Sequence, residues 1–191
     1  MAKLTSKITI HMVSSLDGFI GKPDGDVSWM QSKDNYEKGA DLTEEEIVAF
    51  LNSIDCYVMG SKTYEHALEL GWLYGDTPVI VLTNRNLLKE RETVQFYAGD
   101  LNQLVLHQLK PQYKNIWMVG GANLTKEFIR LGLADEIVIS IMPVLLGDGI
   151  LFFDKIGMEQ NLHLKDVKAY KDGMVELTYA IRKGADPENV K

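Results

Sequence analysis

Three short stretches combine small, hydroxylated and cationic residues in a way that suits a phosphorylated ligand. They are Gly60-Ser61-Lys62-Thr63, Thr83-Asn84-Arg85, and Gly120-Gly121 with Ala122, Asn123 and Leu124 behind them. Each follows a run that reads as a strand, and the first and last lead into helix patterns. Paired glycines at such a turn let the backbone approach a ligand closely, and the helix behind them offers unpaired N–H groups to an anion. The hydroxyls and the two cations, Lys62 and Arg85, complete a set that would hold a phosphate dianion and a pyrophosphate. Taken singly, each stretch reads more readily as an ordinary turn; it is the three together that favour a ligand site. None is a Walker A loop, and Gly147-Asp148-Gly149 continues into Ile-Leu-Phe where a dinucleotide fingerprint requires a helix.

The elements that must position these residues follow from periodicity. Ile8, Ile10 and Met12 alternate with Thr9 and His11 before Val13, a strand pattern broken by Ser14-Ser15-Leu16-Asp17-Gly18. Lys22 to Asp26 is a turn, and the segment from Val27 to Gly39 reads as a loop with at most a short helix. Thr43 with Glu46 forms a capping box ahead of a helix whose face is Ile47, Val48 and Leu51. A strand over Asp55–Met59 leads through Gly60 into a helix ending near Leu70. Pro78–Leu82 is a β-branched run of the kind buried on both faces. A strand over Thr93–Ala98 precedes a second capping box, Asp100 with Gln103, with Leu101, Leu104, Val105 and Leu109 behind it. Ile116–Val119 runs into the glycine pair, and Leu124, Phe128 and Leu131 share one helix face. Glu136–Ile141 is a strand stopped by Pro143, and Val144–Phe153 is an apolar, glycine-broken loop held against the body. Leu162–Tyr170 and Met174–Ile181 form a hairpin around Lys171-Asp172-Gly173, before a polar tail over Gly184–Lys191.

Strands alternating with helices and closed by an antiparallel pair predict an α/β fold with a mixed, mostly parallel central sheet and helices on both faces. In such sheets ligands bind beyond the carboxyl ends of the strands, where all three stretches lie. With no linker or repeat, the 191 residues read as one domain with its core over about 7–181.

A formal charge of −7 argues against broad affinity for nucleic acid or anionic membrane, while leaving room for a local basic pocket. The single cysteine, Cys56, reads as a buried structural thiol and excludes a disulfide within the chain. The N-terminal residues have neither the pattern of a signal peptide nor that of a membrane span, so a cytoplasmic location is expected. His11, His66, His107 and His163 lie on unrelated elements, so no metal site is expected. Ser14 and Ser15 are not in a GxSxG elbow, which removes the main hydrolase reading.

The motifs Ser15-Leu-Asp-Gly-Phe-Ile20, Val58-Met-Gly-Ser-Lys-Thr-Tyr-Glu65, Val81-Leu-Thr-Asn84 and Val119-Gly-Gly-Ala-Asn-Leu124 carry a family resemblance. So does Leu133 to Gly149, which ends in Pro-Val-Leu-Leu-Gly-Asp-Gly. Together they resemble the dihydrofolate-reductase-like superfamily, closest to the reductase domain of bacterial riboflavin biosynthesis, over Lys7–Ile181. The resemblance implies a three-layer α/β/α fold and hydride transfer from NADPH to a small heterocyclic or ribosylamino-pyrimidine or pteridine substrate. It implies that Val119, Gly120 and Gly121 meet the nicotinamide and pyrophosphate, often with a cis bond between the glycines. Ala122, Asn123 and Leu124 would open the helix under the pyrophosphate. Gly60, Ser61, Lys62 and Thr63 would hold phosphates, with Lys62 near the 2′-phosphate. Thr83, Asn84 and Arg85 would border the adenosine, and Val13, Ile20 and Gly21 the nicotinamide. Leu145, Gly147 and Asp148 would line the substrate side, and Asp17 would lie near the substrate.

Hydride transfer demands little covalent help, but a proton must reach the atom that gains electron density. The candidate catalytic carboxylates are Asp17, which can equally bind its own turn, and Asp34, if the segment after Trp29 folds over the pocket. Where the riboflavin-type reductases have a basic stretch that grips a phosphoribosyl group, Thr43–Asp55 is acidic and without Arg or His. Two functions remain open: an active reductase, and a catalytically silent NADP-binding or regulatory module of the same fold. Ile150–Phe153 and the terminal hairpin suit core packing or a homodimer contact equally.

Overall fold

The apolar runs assemble into one eight-stranded sheet in a computed structural model that describes residues 6–182. The tail expected over 184–191 lies outside the described residues. Strand β1 (Lys7–Ser15) and the short β2 (Phe19–Gly21) are followed by a single 3-10 turn at Ser28–Met30 and helix α1 (Glu44–Asn52). Then come β3 (Cys56–Gly60), α2 (Ser61–Glu69), β4 (Val79–Leu82) and β5 (Val94–Tyr97). A helical stretch comprises α3 (Leu101–Leu104), a π turn at Val105–Leu109 and α4 (Lys110–Gln112). The chain continues through β6 (Asn115–Gly120), α5 (Ala122–Arg130), β7 (Glu136–Met142), β8 (Ile150–Leu151), β9 (Leu162–Ala169) and β10 (Val175–Ile181). The π turn leads into α4, whose second residue is Pro111, and the missing N–H there cannot continue a regular ladder.

Strand order is β5-β4-β3-β6-β1-β7-β10-β9. The first six run parallel, β10 runs antiparallel to β7, and β9 closes the edge antiparallel to β10. This is the predicted three-layer architecture, terminal hairpin included. β2 and β8 form a second, two-stranded antiparallel pair.

One face of the sheet carries Ile8, Ile10, Val58, Ile116 and Met118 against Leu104, Leu109, Phe128 and Ile129 of the helices behind. The other carries Tyr57, Met59, Val79 and Val81 against Tyr64 of α2. Val79, Ile80 and Val81 are all buried, as the β-branched run required. On α5, Thr125, Phe128 and Ile129 repeat at helical spacing and are buried, so truncating Phe128 to Ala would cost about 3–5 kcal/mol.

Helix α1 departs from expectation. Its capping box forms as read, with Thr43 accepting from the Glu46 N–H and Glu46 reaching back. Its apolar side is not buried, however: Ile47, Val48 and Phe50 are 40%, 54% and 40% exposed. The helix stands off the sheet over a cavity of about 760 Å³. Contacts of Phe50 with Trp117 and His11 bridge part of the gap. Periodicity identifies an amphipathic helix but not how closely it docks.

Candidate functional site

The strand order brings the three stretches to one edge. β4, β3, β6, β1 and β7 are consecutive neighbours. Their carboxyl ends therefore deliver Thr83, Ser61, Gly121, Leu16 and Pro143 side by side.

Gly60 pairs across the ladder with Leu82, and Met59 with Gly120 across a bulge. A β-carbon built on Gly60 would lie 3.9 Å from the Gly120 carbonyl oxygen, and one on Gly121 would lie 3.9 Å from Thr63 Oγ1. The glycine pair and the first turn of α2 are thus in van der Waals reach of each other. The peptide between Gly120 and Gly121 is cis. Gly120 has φ +128, and a side chain there would meet Met12 Sδ at 2.5 Å, so only glycine fits. α2 and α5 begin at Gly60 and Gly121, and neither N-terminus is capped by a side chain. The unpaired N–H groups of two helices and the hydroxyls of Ser61, Thr63 and Thr83 form a donor set suited to phosphate oxygens.

The side chains of Val13, Ile20, Val119 and Leu124 pack against the core clusters, which leaves backbone and edge contacts for a ligand. At the outer end, Arg85 is engaged bidentately by Glu65 at 2.7 Å and 2.7 Å. Lys62 is exposed and has no ion pair among the described residues.

Beyond β1, Asp17 accepts from Ser15 Oγ at 2.6 Å, the Gly147 N–H at 2.7 Å and the Leu146 N–H at 3.1 Å. These donors, Ser15 foremost, hold its carboxyl down to about 2 despite some opposing desolvation. Ser15 Oγ also accepts from the Phe19 N–H, Leu16 N–H donates to the Val144 carbonyl, and Phe152 N–H to that of Gly18. The 144–152 loop is held against the body, as expected, but by these hydrogen bonds rather than by its apolar side chains: Phe152 is buried, while Leu145, Ile150 and Leu151 are exposed. Gly21 lies against Ile150 and Gly149.

The segment after Trp29 folds over the end of β7. Trp29 packs with Val13, Met142, Met174 and Val144. Residues 29 and 31–34 line a cavity of about 600 Å³ with Met142, Pro143 and Val144. Tyr36 N–H donates to the Lys171 carbonyl, and Ala40 exchanges bonds with Ala169 and Lys171. Asp34 lies so close to Gly173 that a β-carbon there would collide with Oδ2.

A polar chain beneath α1 escaped the sequence reading. His11 Nε2 lies 3.2 Å from Ser140 Oγ, which donates to Glu176 Oε2 at 3.1 Å. Burial pushes His11 down to about 4, so the ring is neutral at pH 7. These residues are 36 or more positions apart and meet only through strand pairing, so no local pattern signals them. Among the described residues, no three His, Cys, Asp or Glu converge as a metal-ligand set, and no helix is long and apolar enough to cross a membrane.

Comparison with known proteins agrees with this architecture. The uncharacterized protein YwjB of Bacillus subtilis (strain 168) is 31% identical over 175 residues, spanning 91% of this chain and 97% of its own. Among solved structures, a Shewanella sp. PV-4 protein named for riboflavin biosynthesis superposes with a TM-score of 0.79. It covers 93% of this chain and 99% of its own at 23% identity. The Thermotoga maritima diaminohydroxyphosphoribosylaminopyrimidine deaminase/5-amino-6-(5-phosphoribosylamino)uracil reductase gives 0.66, over 93% of this chain and 57% of its own at 16% identity. At these identities the two structures speak for the fold. Residues 56–176, from the buried start of β3 to the Glu176 that closes the polar chain, match the family model described as the RibD C-terminal domain, and the chain belongs to that family.

Proposed function

We propose that this protein is an NADPH-dependent reductase that transfers a hydride to a small heterocyclic or ribosylamino-pyrimidine or pteridine-type substrate in the cytoplasm. The observation that carries the proposal is the shared edge: a close-approach glycine pair between two uncapped helix N-termini, with Lys62 and three hydroxyls beside them. The Thermotoga relative is named as a reductase of a pyrimidine, which supports the same chemistry.

NADPH supplies the hydride. Gly120, Gly121, Ala122, Asn123 and the backbone of Val119 and Leu124 hold the pyrophosphate and nicotinamide portions by close approach and N–H donation. Gly60, Ser61, Lys62 and Thr63 hold phosphates, and Thr83, Asn84 and Arg85 border the adenosine. Val13, Ile20 and Gly21 flank the reacting ring. Asp17, kept ionised by its three donors, is a positioning residue that fixes the loop from Leu145 to Asp148 on the substrate side. Asp34 is the carboxylate beside the cavity under Trp29, and it relays the proton that balances the hydride. The cations around α1 are already paired, Lys168 with Glu46, Lys171 with Asp41 and Lys7 with Glu136. That pairing favours an unphosphorylated heterocycle over a phosphoribosyl one.

The test is titration with NADPH and NADH, followed by energy transfer from tryptophan, then turnover on a pyrimidine and pteridine panel. Absence of saturable binding of either dinucleotide at millimolar concentration refutes the reading. The engagement of Asp17 by Ser15 and by the amides of the 144–152 loop favours a second reading, a silent NADP-binding module; it predicts stoichiometric binding without oxidation, and turnover on any substrate rejects it. Exposed Ile150, Leu151 and Phe153, with Leu162, Leu164 and Val167 on β9, support a homodimer. A monomer in sedimentation at micromolar concentration would remove that assignment.

A further inference from the structure

We infer that Glu65 sets how strongly the site prefers a 2′-phosphorylated adenosine, by occupying the guanidinium fork of Arg85. The inference rests on the dinucleotide reading above and adds a residue that reading does not assign. β3 and β4 run parallel with Gly60 opposite Leu82, so Ser61 and Thr83 leave the sheet side by side. Thr83 Oγ1 accepts the Arg85 N–H at 3.0 Å, forming a tight turn from which the Arg85 side chain reaches α2. There Nη1 and Nη2 meet Glu65 Oε2 and Oε1, both at 2.7 Å. Lys62 stands one helical turn ahead of Glu65, and its charge helps hold that carboxyl below the usual range, after the larger effect of Arg85.

The outer end of the edge thus carries two cations and one carboxylate: Lys62 and Glu65 follow β3, two inter-strand spacings from β1, and Arg85 follows β4, three spacings away, at about 4.8 Å each. A dinucleotide with its reacting ring at β6 and β1 puts its adenosine there. A 2′-phosphate is matched by the planar, two-pronged donor that Arg85 offers, with Lys62 beside it as a point charge, whereas an unmodified 2′-hydroxyl is satisfied by a carboxylate acceptor. Glu65 acts against the first and leaves the second little affected. It takes both prongs of Arg85 and places a like charge beside an incoming phosphate. Replacing it with Gln keeps the shape, releases the fork and raises the charge facing the phosphate from one net positive to two.

The experiment uses the full chain and two probes that differ only at the 2′ position, adenosine 2′,5′-bisphosphate and adenosine 5′-monophosphate, with affinities from calorimetry. Glu65→Gln should tighten the bisphosphate about fivefold or more at low salt and leave the monophosphate within about twofold, the gain shrinking as salt rises. Glu65→Ala should move the ratio in the same direction. The pair is exposed and contributes little to stability, so both variants should unfold at the wild-type denaturant midpoint. An unchanged ratio, or a weaker bisphosphate in Glu65→Gln, overturns the assignment of Glu65 and leaves the dinucleotide reading standing. If neither probe binds the wild-type protein at millimolar concentration, the dinucleotide reading itself fails and this assignment fails with it.

Discussion

Acid should destabilise this fold through His11, and the size of the loss can be worked out from its surroundings. β1 points the imidazole onto the sheet face beneath α1, where it stacks on Trp117 at 5.1 Å and meets the edge of Phe50 at 5.6 Å. Its side chain is 15% exposed, Nδ1 has no partner, and Nε2 faces Ser140 and, at 3.7 Å, Glu176. Burial lowers the pKa from 6.5 to about 4. The unfolded chain therefore takes up a proton near pH 6.5, while the folded chain resists until about pH 4. Stability from the neutral ring is complete above 6.5 and falls as the pH drops through that window. Two and a half units correspond to about 3 kcal/mol in full, and to about 2 kcal/mol between about pH 7.5 and pH 5. The Glu176 carboxylate favours the cation, so these figures are upper values. Urea unfolding of the wild type and of His11→Gln across this range isolates the effect, because the variant cannot titrate at this position. The wild type should lose about 2 kcal/mol more than the variant on going to pH 5. Parallel pH profiles, or an imidazole that titrates near 6.5 by NMR, would refute the argument.

Gly120→Ala should destabilise the fold by roughly 2–4 kcal/mol, combining a left-handed backbone with a collision at Met12 Sδ, and it should abolish NADPH binding; denaturant titration and fluorescence check both. Asp17→Asn should speed hydrogen exchange at the Leu146 and Gly147 amides without moving the global unfolding midpoint much, and unchanged exchange would show that the carboxylate does not hold the loop. In the wild type the same tie should persist on acidification, because the folded carboxyl titrates at about 2 and the unfolded one at 3.8; it is complete above 3.8 and lost as the pH falls through 2.

Local chemistry made much of the fold legible. The capping pair Thr43–Glu46, the β-branched run at Val79 and the glycine pair at the end of β6 are signals carried by a few adjacent residues, and all formed where the sequence placed them. The docking of α1 was not legible, because periodicity reports which face is apolar and not how far the sheet lies beneath it. The same limit hid the chain from His11 to Glu176, whose members come from three strands.

By itself, the order of strand, turn and helix along this sequence determined an α/β sheet and put small, hydroxylated and basic residues at its strand ends, because hydrophobic periods and glycine are local signals. Only the tertiary structure decided that β6 inserts between β3 and β1, so that Gly121 lies against Thr63, that Glu65 grips Arg85, and that Asp17 is spent on the 144–152 loop. Those outcomes depend on pairings between residues up to 130 positions apart. Strand order and side-chain partners are set by burial and hydrogen bonding summed over the whole sheet, and no single stretch of sequence carries that sum.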